Sequence, residues 1–247
     1  MNIRVGTFNI LNTSCRYQER KGLVRDTIRQ IDCDILGLQE INYNENLELF
    51  DLEAYNLYFA SLPSPMLKTE PEFRIDGNAI LIKKSFEVLS ELKFVYSNQL
   101  RIAQILKVRK DDFEFLVVNT HLDHLSDSVR MTQVNELLEY LSNVPGDTCV
   151  CTGDYNFLPD SSPYYQMSKV FRSACFTVLN KEPQVTFPTG LIGKYADIDE
   201  YGCFDYIWSK GRIVPSACSV VRDCGSDSIW ASDHYPVLAE FQLTLNT

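Results

Sequence analysis

The chain has 247 residues, 45% of them hydrophobic, which is enough for one domain to bury a large core. A formal charge of -10 excludes a protein that grips long nucleic acid over a broad basic surface, because neutralising phosphates takes clustered lysine and arginine. A cluster of carboxylates around a divalent cation escapes that exclusion, since the ion reverses the local field and draws phosphate in.

The N-terminus, Met-Asn-Ile-Arg-Val-Gly-Thr-Phe-Asn, lacks the basic start, apolar run and cleavage site of a secretory signal. No later run reaches the roughly 18 apolar residues of a membrane span. A cytoplasmic protein without stable membrane insertion is expected. Ile3 to Ile10 reads as a short buried strand, and Leu23, Val24, Ile28 and Ile31 give residues 20–31 a helical spacing. A second strand follows at residues 34–39. This strand, helix, strand order suits a crossover unit and predicts Asn9 and Glu40 at the C-terminal ends of adjacent strands, where functional side chains gather.

Strand-like segments continue at residues 55–60, 78–82, 86–94, 102–108 and 113–120. Pro63 to Phe73, with three prolines, is expected to form a mobile surface loop. Ser126-Asp127 is expected to cap a helix carrying Val129, Val134, Leu137, Leu138 and Leu141 mostly on one face. Gly146 then releases a strand at 148–152, residues 164–171 read as a helix, and strands follow at 203–209, 213–221 and 235–243. No repeat of 20–50 residues and no linker appears, so residues 1–247 are expected to form a single domain of mixed α/β class with two similar halves. The eight cysteines include no Cys-x-x-Cys pair, which argues against a zinc site of the usual spacing and for reduced thiols in an intracellular setting. Cys149 and Cys151, two apart in a predicted strand, are expected to share one buried face.

Polar residues punctuate the ends of these strands: Gly-Thr-Phe-Asn9, Gly-Leu-Gln-Glu40, Asn-Thr-His121-Leu, Gly-Asp154-Tyr-Asn156, Phe-Asp205-Tyr-Ile and Ser-Asp233-His234. Each has an ordinary structural reading. Asn9 and Asn156 suit turn caps, Glu40 the start of a helix, Asp154 a turn, and Asp205 a satisfied buried carboxylate. Taken together and in this order, the six motifs resemble the endonuclease/exonuclease/phosphatase superfamily, also called DNase I-like, over residues 3 to 241. The resemblance implies an α/β (α+β) four-layer αββα sandwich, with two central, mostly antiparallel β-sheets and helices on both outer faces. It also implies a Mg²⁺-dependent phosphoesterase that hydrolyses a phosphodiester by direct attack of water, with Mn²⁺ as the alternative ion.

In that reading Glu40, a hard oxygen ligand, binds the metal, with Asn9 and Asp233 completing or bordering the site. Asp154 resembles the base that takes a proton from water, and Asn156 orients that water. Asp205 resembles the carboxylate that holds His234, which as imidazolium donates to a phosphate oxygen, and His121 is a second donor. Arg101 resembles a basic residue that some branches place beside the phosphate. Asn78, in Gly-Asn-Ala-Ile, suits either a substrate contact or a hydrogen bond within the rim. His124 and Arg130 are expected to be structural, the latter bracing the loop after His121.

Leu11 stands where members that repair abasic DNA carry an aspartate, and Thr-Phe-Asn9 and Cys-Phe-Asp205 replace their usual flanks, which disfavours that activity. The branch with RNA deadenylase-like, tyrosyl-DNA phosphodiesterase-like, sphingomyelinase-like and inositol-phosphatase-like members looks more similar. A nuclease-type enzyme acting as a monomer on DNA, RNA or a nucleotide-containing ester is the leading expectation. The alternatives are a lipid or inositol phosphate hydrolase and a non-catalytic phosphate-binding module. Phe73, Tyr164, Tyr165 and Phe187 are candidate aromatic platforms for a base, a single strand or a headgroup, or else core. Thr186 to Gly190 resembles a family segment, and residues 191–202 are expected to shape specificity.

Overall fold

Strand β1 (Asn2–Asn9) is buried without a break from Val5 onward. One of its faces, with Ile3 and Val5, lies between two sheets, while Phe8 lies under helix α1 (Tyr17–Ile31). A strand covered on both faces reads as a continuous apolar run, which is how residues 3–10 read in the sequence. The structure, a computed structural model, describes residues 1–13, 15–46, 49, 53–62, 76–98, 100–191, 201–226 and 229–244. The expected loop Pro63 to Phe73 and most of the segment 191–202 lie outside the described residues.

Helix α1 returns the chain to β2 (Ile35–Asn42), which pairs parallel with β1 from Val5↔Ile35 to Asn9↔Gln39. After the short helix α2 (Tyr43–Asn46), strands β3 (Tyr55–Ser61) and β4 (Asp76–Lys83) extend the sheet beyond β2. The second sheet starts with β5 (Glu87–Val95), β6 (Ile102–Lys110) and β7 (Phe113–His121), which pair antiparallel. Helix α3 (Asp127–Asn143) then leads to β8 (Cys149–Asp154), parallel to β7. Helix α4 (Ser162–Ser168), strand β9 (Arg172–Ser173) and helix α5 (Ala174–Leu179) precede β10 (Asp205–Lys210). Strand β11 (Ile213–Val220), a small hairpin of β12 (Gly225–Ser226) and β13 (Ile229–Trp230), and β14 (Val237–Leu243) complete the described chain.

The strand orders are β11-β14-β1-β2-β4-β3 and β5-β6-β7-β8-β10-β9. Each sheet holds one parallel pair, β1/β2 or β7/β8, among antiparallel neighbours, so the two similar halves expected from the sequence are visible in the pairing. One apolar core fills the space between the sheets, with Val5, Ile80, Phe115, Val150 and Phe241 among its members. A second lies between the outer face of the second sheet and α3 and α4, and a third between the first sheet and α1. These layers form the αββα sandwich.

Near the rim that carries the strand ends, the space between the sheets is polar. Gln39 Nε2 donates to Asn119 Oδ1 at 2.6 Å, and Asn119 Nδ2 donates to the carbonyls of Leu38 and Ala79. Thr7 and Thr152 join the same network. Gly37 permits this close approach, because a Cβ there would sit 2.1 Å from Thr152 Oγ1. Fully satisfied buried polar groups of this kind fix register more strictly than apolar contacts do.

Several local expectations shift. Ser126 stands at the N-cap of α3 but makes no side-chain cap, its hydroxyl pairing with Ser128 Oγ at 2.8 Å, while Asp123 Oδ1 accepts from the N–H groups of Leu125 and Ser126 just ahead of the helix. The buried stripe of α3 is Gln133, Val134, Leu137 and Leu141, with Val129 and Leu138 only half-buried. The helix expected at 164–171 begins earlier, with Pro163 in its first turn and the Ser161 hydroxyl accepting from Tyr164 N. Reduced thiols were expected throughout, yet Cys175 on α5 and Cys218 on β11 are joined as a disulfide. The other six cysteines are free and buried, and Cys149 and Cys151 share one face as expected.

Candidate active site

The two parallel pairs bring their C-terminal ends to one rim. His121 is in register with Asp154, and Asp154 with Asp205. From the facing sheet Asn9 reaches across and donates through Nδ2 to Asp154 Oδ2 at 3.0 Å. The same amide group donates to Glu40 Oε1 at 3.1 Å, so Asn9 holds two carboxylates apart and bonded at once. Its own oxygen accepts the Leu11 N–H. Asn9, expected to complete or border a metal site, thus stands between Glu40 and Asp154, with its NH₂ group turned toward the two carboxylates.

Glu40 sits at a bulge in β2, where the pairing with β4 slips between Leu38 and Ile41, and its φ is 56°. A left-handed glutamate is strained, and bulges re-aim side chains beside active sites. Here the bulge puts Glu40 on the wall of the rim cleft. Its second oxygen, Oε2, accepts from Asn12 Nδ2 at 3.2 Å. Asn156 is also left-handed, at φ 52°, which asparagine tolerates, and its N–H donates to Asp154 Oδ1 at 3.0 Å. One hydrogen of its side-chain amide is spent on the Leu122 carbonyl.

Asp205 Oδ2 lies 2.9 Å from His234 Nδ1, and the buried Oδ1 of Asp205 has no partner among the described residues. A carboxylate facing Nδ1 fixes the proton there and leaves Nε2 toward Asp154 Oδ2, 3.7 Å away. The His234 ring lies against Phe187, with centroids 4.7 Å apart. Burial alone would lower the pKa of His234, but Asp205, Asp154 and Asp233 together raise it well above the ordinary imidazole value.

His121 is the opposite case. Burial, reinforced by Arg101, His234 and His124, holds its pKa well below the ordinary value. Arg101 Nη1 lies 3.2 Å from His121 Nδ1, and since a guanidinium only donates, Nδ1 accepts and Nε2 carries the hydrogen. That nitrogen is 3.5 Å from Asp154 Oδ2. The other arm of Arg101 lies 3.2 Å from His124 Nδ1, so His124, expected to be merely structural, shares the guanidinium and lines the cleft. Burial pushes the pKa of Asp154 up, offset in part by His234, to about 7.

The cleft has a volume of ≈ 390 Å³, and Glu40, Arg101, His121, Asp154, Asn156, Asp233 and His234 line it. Asn9, Asp205 and Asn78 stand behind it. Asn78 is buried and donates to the carbonyl of Ile102, tying β4 to β6 at the rim rather than facing a substrate. Arg130 donates to the Asp123 carbonyl and to Asp127, bracing the loop after His121 as expected.

Asp154, Asp205 and His234 offer ligand atoms within 4.8 Å of one another, a spacing that suits a metal ion. Within this group His234 Nδ1 faces Asp205 and both Asp154 oxygens accept amide hydrogens. Glu40 and Asp233, both hard oxygen donors, also line the cleft. Each Glu40 oxygen accepts one amide hydrogen and keeps lone pairs to spare. Burial and the Glu40 charge both raise the pKa of Asp233, with His234 opposing, an imbalance that a hard divalent cation relieves.

Two supports hold the rim, one of them, Arg20, without any signal in the sequence and the other, Thr186 to Gly190, singled out there only as a family-like segment. Arg20 is fully buried and donates to the carbonyls of Ile10, Leu11, Asn12 and Cys15 in one loop and of Ala231 in another. It therefore ties together the segments that lead to Asn12 and Asp233. Thr186 to Gly190 clamps the second of these segments: Tyr235 N donates to Thr186 O, and both the N–H and hydroxyl of Thr189 donate to carbonyls of Asp233 and Ser232. A buried arginine in an amphipathic helix carries no motif, which is why pattern alone passed over it.

A sandwich with this rim has the DNase I-like fold. The chain is a member of the Endonuclease/Exonuclease/phosphatase family, which it matches over residues 6–234. It is 31% identical to Drosophila melanogaster Nocturnin over 157 residues, covering 58% of this chain and 24% of that protein. Against Drosophila melanogaster Protein angel it is 29% identical over 91% of this chain and 71% of the relative. Human Nocturnin is 25% identical over 93% of this chain, which spans 59% of that protein. Among solved structures, the human Nocturnin catalytic domain with bound sulfate superposes with a TM-score of 0.81 at 22% identity, covering 98% of this chain and 94% of that one. Caenorhabditis elegans TDP2 superposes with a TM-score of 0.75 at 20% identity, covering 98% and 74%.

Proposed function

We propose that this chain is a Mg²⁺- or Mn²⁺-dependent phosphodiesterase that attacks phosphorus directly with water and acts on nucleic acid or a nucleotide-containing ester. The observation that carries the proposal is the convergence of Asn9 Nδ2, His121 Nε2 and His234 Nε2 around a single buried oxygen, Asp154 Oδ2. A carboxylate whose pKa is about 7 suits a base working near neutral pH. It accepts the proton of the attacking water, with Asn156 beside it to orient that water.

His234, held by Asp205 and charged, donates Nε2–H to a non-bridging phosphate oxygen. His121, neutral and held by Arg101, donates its own Nε2–H to a second one. Arg101 contributes fixed positive charge at the same wall. Glu40 and Asp233 hold the cation, whose chemistry is to neutralise charge that develops on phosphate and leaving oxygen. Between them these groups cover proton removal, charge neutralisation and orientation, which favours an enzyme over a binding module. No helix among the described residues is long and apolar enough to cross a membrane. A formal charge of -10 favours short, single-stranded or nucleotide-sized substrates over extended duplex.

The test is hydrolysis with Mg²⁺ or Mn²⁺ of single- and double-stranded DNA, RNA, 5′-tyrosyl DNA, sphingomyelin and inositol phosphates. Turnover is expected on a nucleotide-containing substrate, with losses of about 10²- to 10⁴-fold in Asp154→Asn and His234→Ala while both remain folded. Wild-type turnover by both variants refutes the site, and turnover confined to lipid or inositol phosphates refutes the substrate class.

A further inference from the structure

Tyr164 and Tyr165, candidate platforms in the sequence, line a cavity that shares no residue with the catalytic cleft, so recognition at the cleft falls largely to its charged and polar groups. Among these, Arg101 is set apart by its partners. Arg4, Arg16, Arg109 and Arg130 each pair with a carboxylate. The guanidinium of Arg101 has two imidazole nitrogens for hydrogen-bond partners, Nδ1 of His121 and Nδ1 of His124, and among the described residues no carboxylate within ion-pair distance. Two of its five N–H donors are spent on these rings, and the others remain for an anion.

A cation so placed has competing attractions. Burial lowers the pKa of Arg101, against the pull of Glu40, Asp154 and Asp123. A guanidinium drawn onto Glu40 or Asp154 would spend its charge on the proposed metal ligand or base instead of on a substrate. The two imidazoles oppose this by taking one arm each, Nη1 at 3.2 Å and Nη2 at 3.2 Å, which fixes the plane of the fork. Since a guanidinium only donates, His124 accepts through Nδ1 and carries its ring hydrogen on Nε2.

The His124 side chain is exposed, yet the backbone beneath it is tied down. Asp123 is buried, and its Oδ1 accepts from Leu125 N and Ser126 N, closing a turn around His124. Gln133 on α3 accepts the Asp123 N–H, and Arg130 donates to the Asp123 carbonyl. We propose that His124 positions Arg101 for a phosphate group of the substrate, holding the second arm of the guanidinium so that its remaining N–H groups meet the anion rather than Glu40 or Asp154. The inference rests on the reading of the cleft as a phosphodiesterase site. His121 also holds Arg101 but has its Nε2 beside Asp154, so His124 is the position at which the support can be removed without touching the reacting groups.

Inorganic phosphate is the probe, added to the intact protein at constant Mg²⁺ and followed through the ring signals of His121 and His234, which with His124 are the only histidines in the chain. Phosphate is expected to shift both signals saturably. His124→Ala is expected to weaken phosphate binding about tenfold, whereas His124→Asn, whose Oδ1 accepts in place of Nδ1, stays within about threefold of wild type. Arg101→Gln is expected to cost about tenfold as well, and His124→Ala to add nothing to it, because a residue that acts through another has no effect once that other is gone. Wild-type signals that phosphate does not move, an asparagine variant as weak as the alanine one, or losses that multiply in the double variant overturn the proposal. If the expected pattern holds while no phosphate ester turns over, the phosphodiesterase reading fails and the role of His124 toward phosphate stands.

Discussion

At Asp154 the two oxygens of one carboxylate have separate duties, Oδ1 closing the turn to Asn156 and Oδ2 facing the histidines. The turn reading of Asp154 occupies Oδ1 alone, which leaves Oδ2 for the base role proposed above. Asn9 repeats the pattern, with its oxygen in a turn and its NH₂ group in the site. The base role proposed for Asp154 has a stability cost with a definite sign. In the fold its proton is retained up to about pH 7, whereas an unfolded aspartate releases it near the ordinary value of 3.8. The native state therefore binds more protons between these limits, and this group lowers stability as pH rises from about 4 to about 7. Asp154→Asn removes that penalty. In chelator, the variant is expected to melt about 5 °C above wild type at pH 7 and close to wild type at pH 4, as followed by thermal denaturation. An equal difference at both pH values would contradict the buried, proton-retaining state of Asp154.

The elements of the rim act through what they hold in place. Helix α1 contributes its apolar stripe to the core and Arg20 to the site, where the guanidinium ties the loop after β1 to the loop before β14. Lysine at position 20 would keep the charge but lose the planar fork that reaches several carbonyls at once. Arg20→Lys is expected to cost about 3 kcal/mol in denaturant unfolding and to raise the metal concentration for half-maximal activity about tenfold. Because the reacting groups are untouched, kcat at saturating metal should stay within about threefold of wild type. A kcat loss with unchanged metal dependence would place Arg20 in the chemistry rather than in positioning. This is also where sequence reading reached its limit. The strand ends Asn9, Glu40, His121, Asp154 and Asp205 were legible, because a polar residue after an apolar run marks an edge. The bulge that aims Glu40, the left-handed Asn156 and the carbonyl cage of Arg20 were not, since each depends on backbone geometry that contacts between distant segments impose.

For the whole molecule, charge and architecture pull in different directions. The fold builds a cleft whose wall carries Arg101 and three histidines, yet the chain as a whole bears a formal charge of -10. The polar seam of Thr7, Gln39, Asn119 and Thr152 accounts for how such a cleft keeps its shape: it locks the two sheets together immediately behind the rim, where apolar packing would allow sliding. In the proposed reading, a cleft of this charge in an acidic body attracts phosphate locally and repels it at a distance. Binding to single-stranded oligonucleotides should therefore engage few phosphates. With a slope of about -0.7 per neutralised phosphate for single strands, log K against log salt is expected to fall with a slope no steeper than about -2. Apparent affinity should also level off once an oligonucleotide exceeds a few nucleotides, because extra length meets acidic surface. Fluorescence anisotropy with the Asp154→Asn variant, whose turnover is expected to be about 10²- to 10⁴-fold slower than that of wild type and so slow enough for binding measurements, measures both quantities in one series. A slope near -5, or affinity that keeps rising to twenty nucleotides, would require an extended basic track that the composition of this chain does not supply.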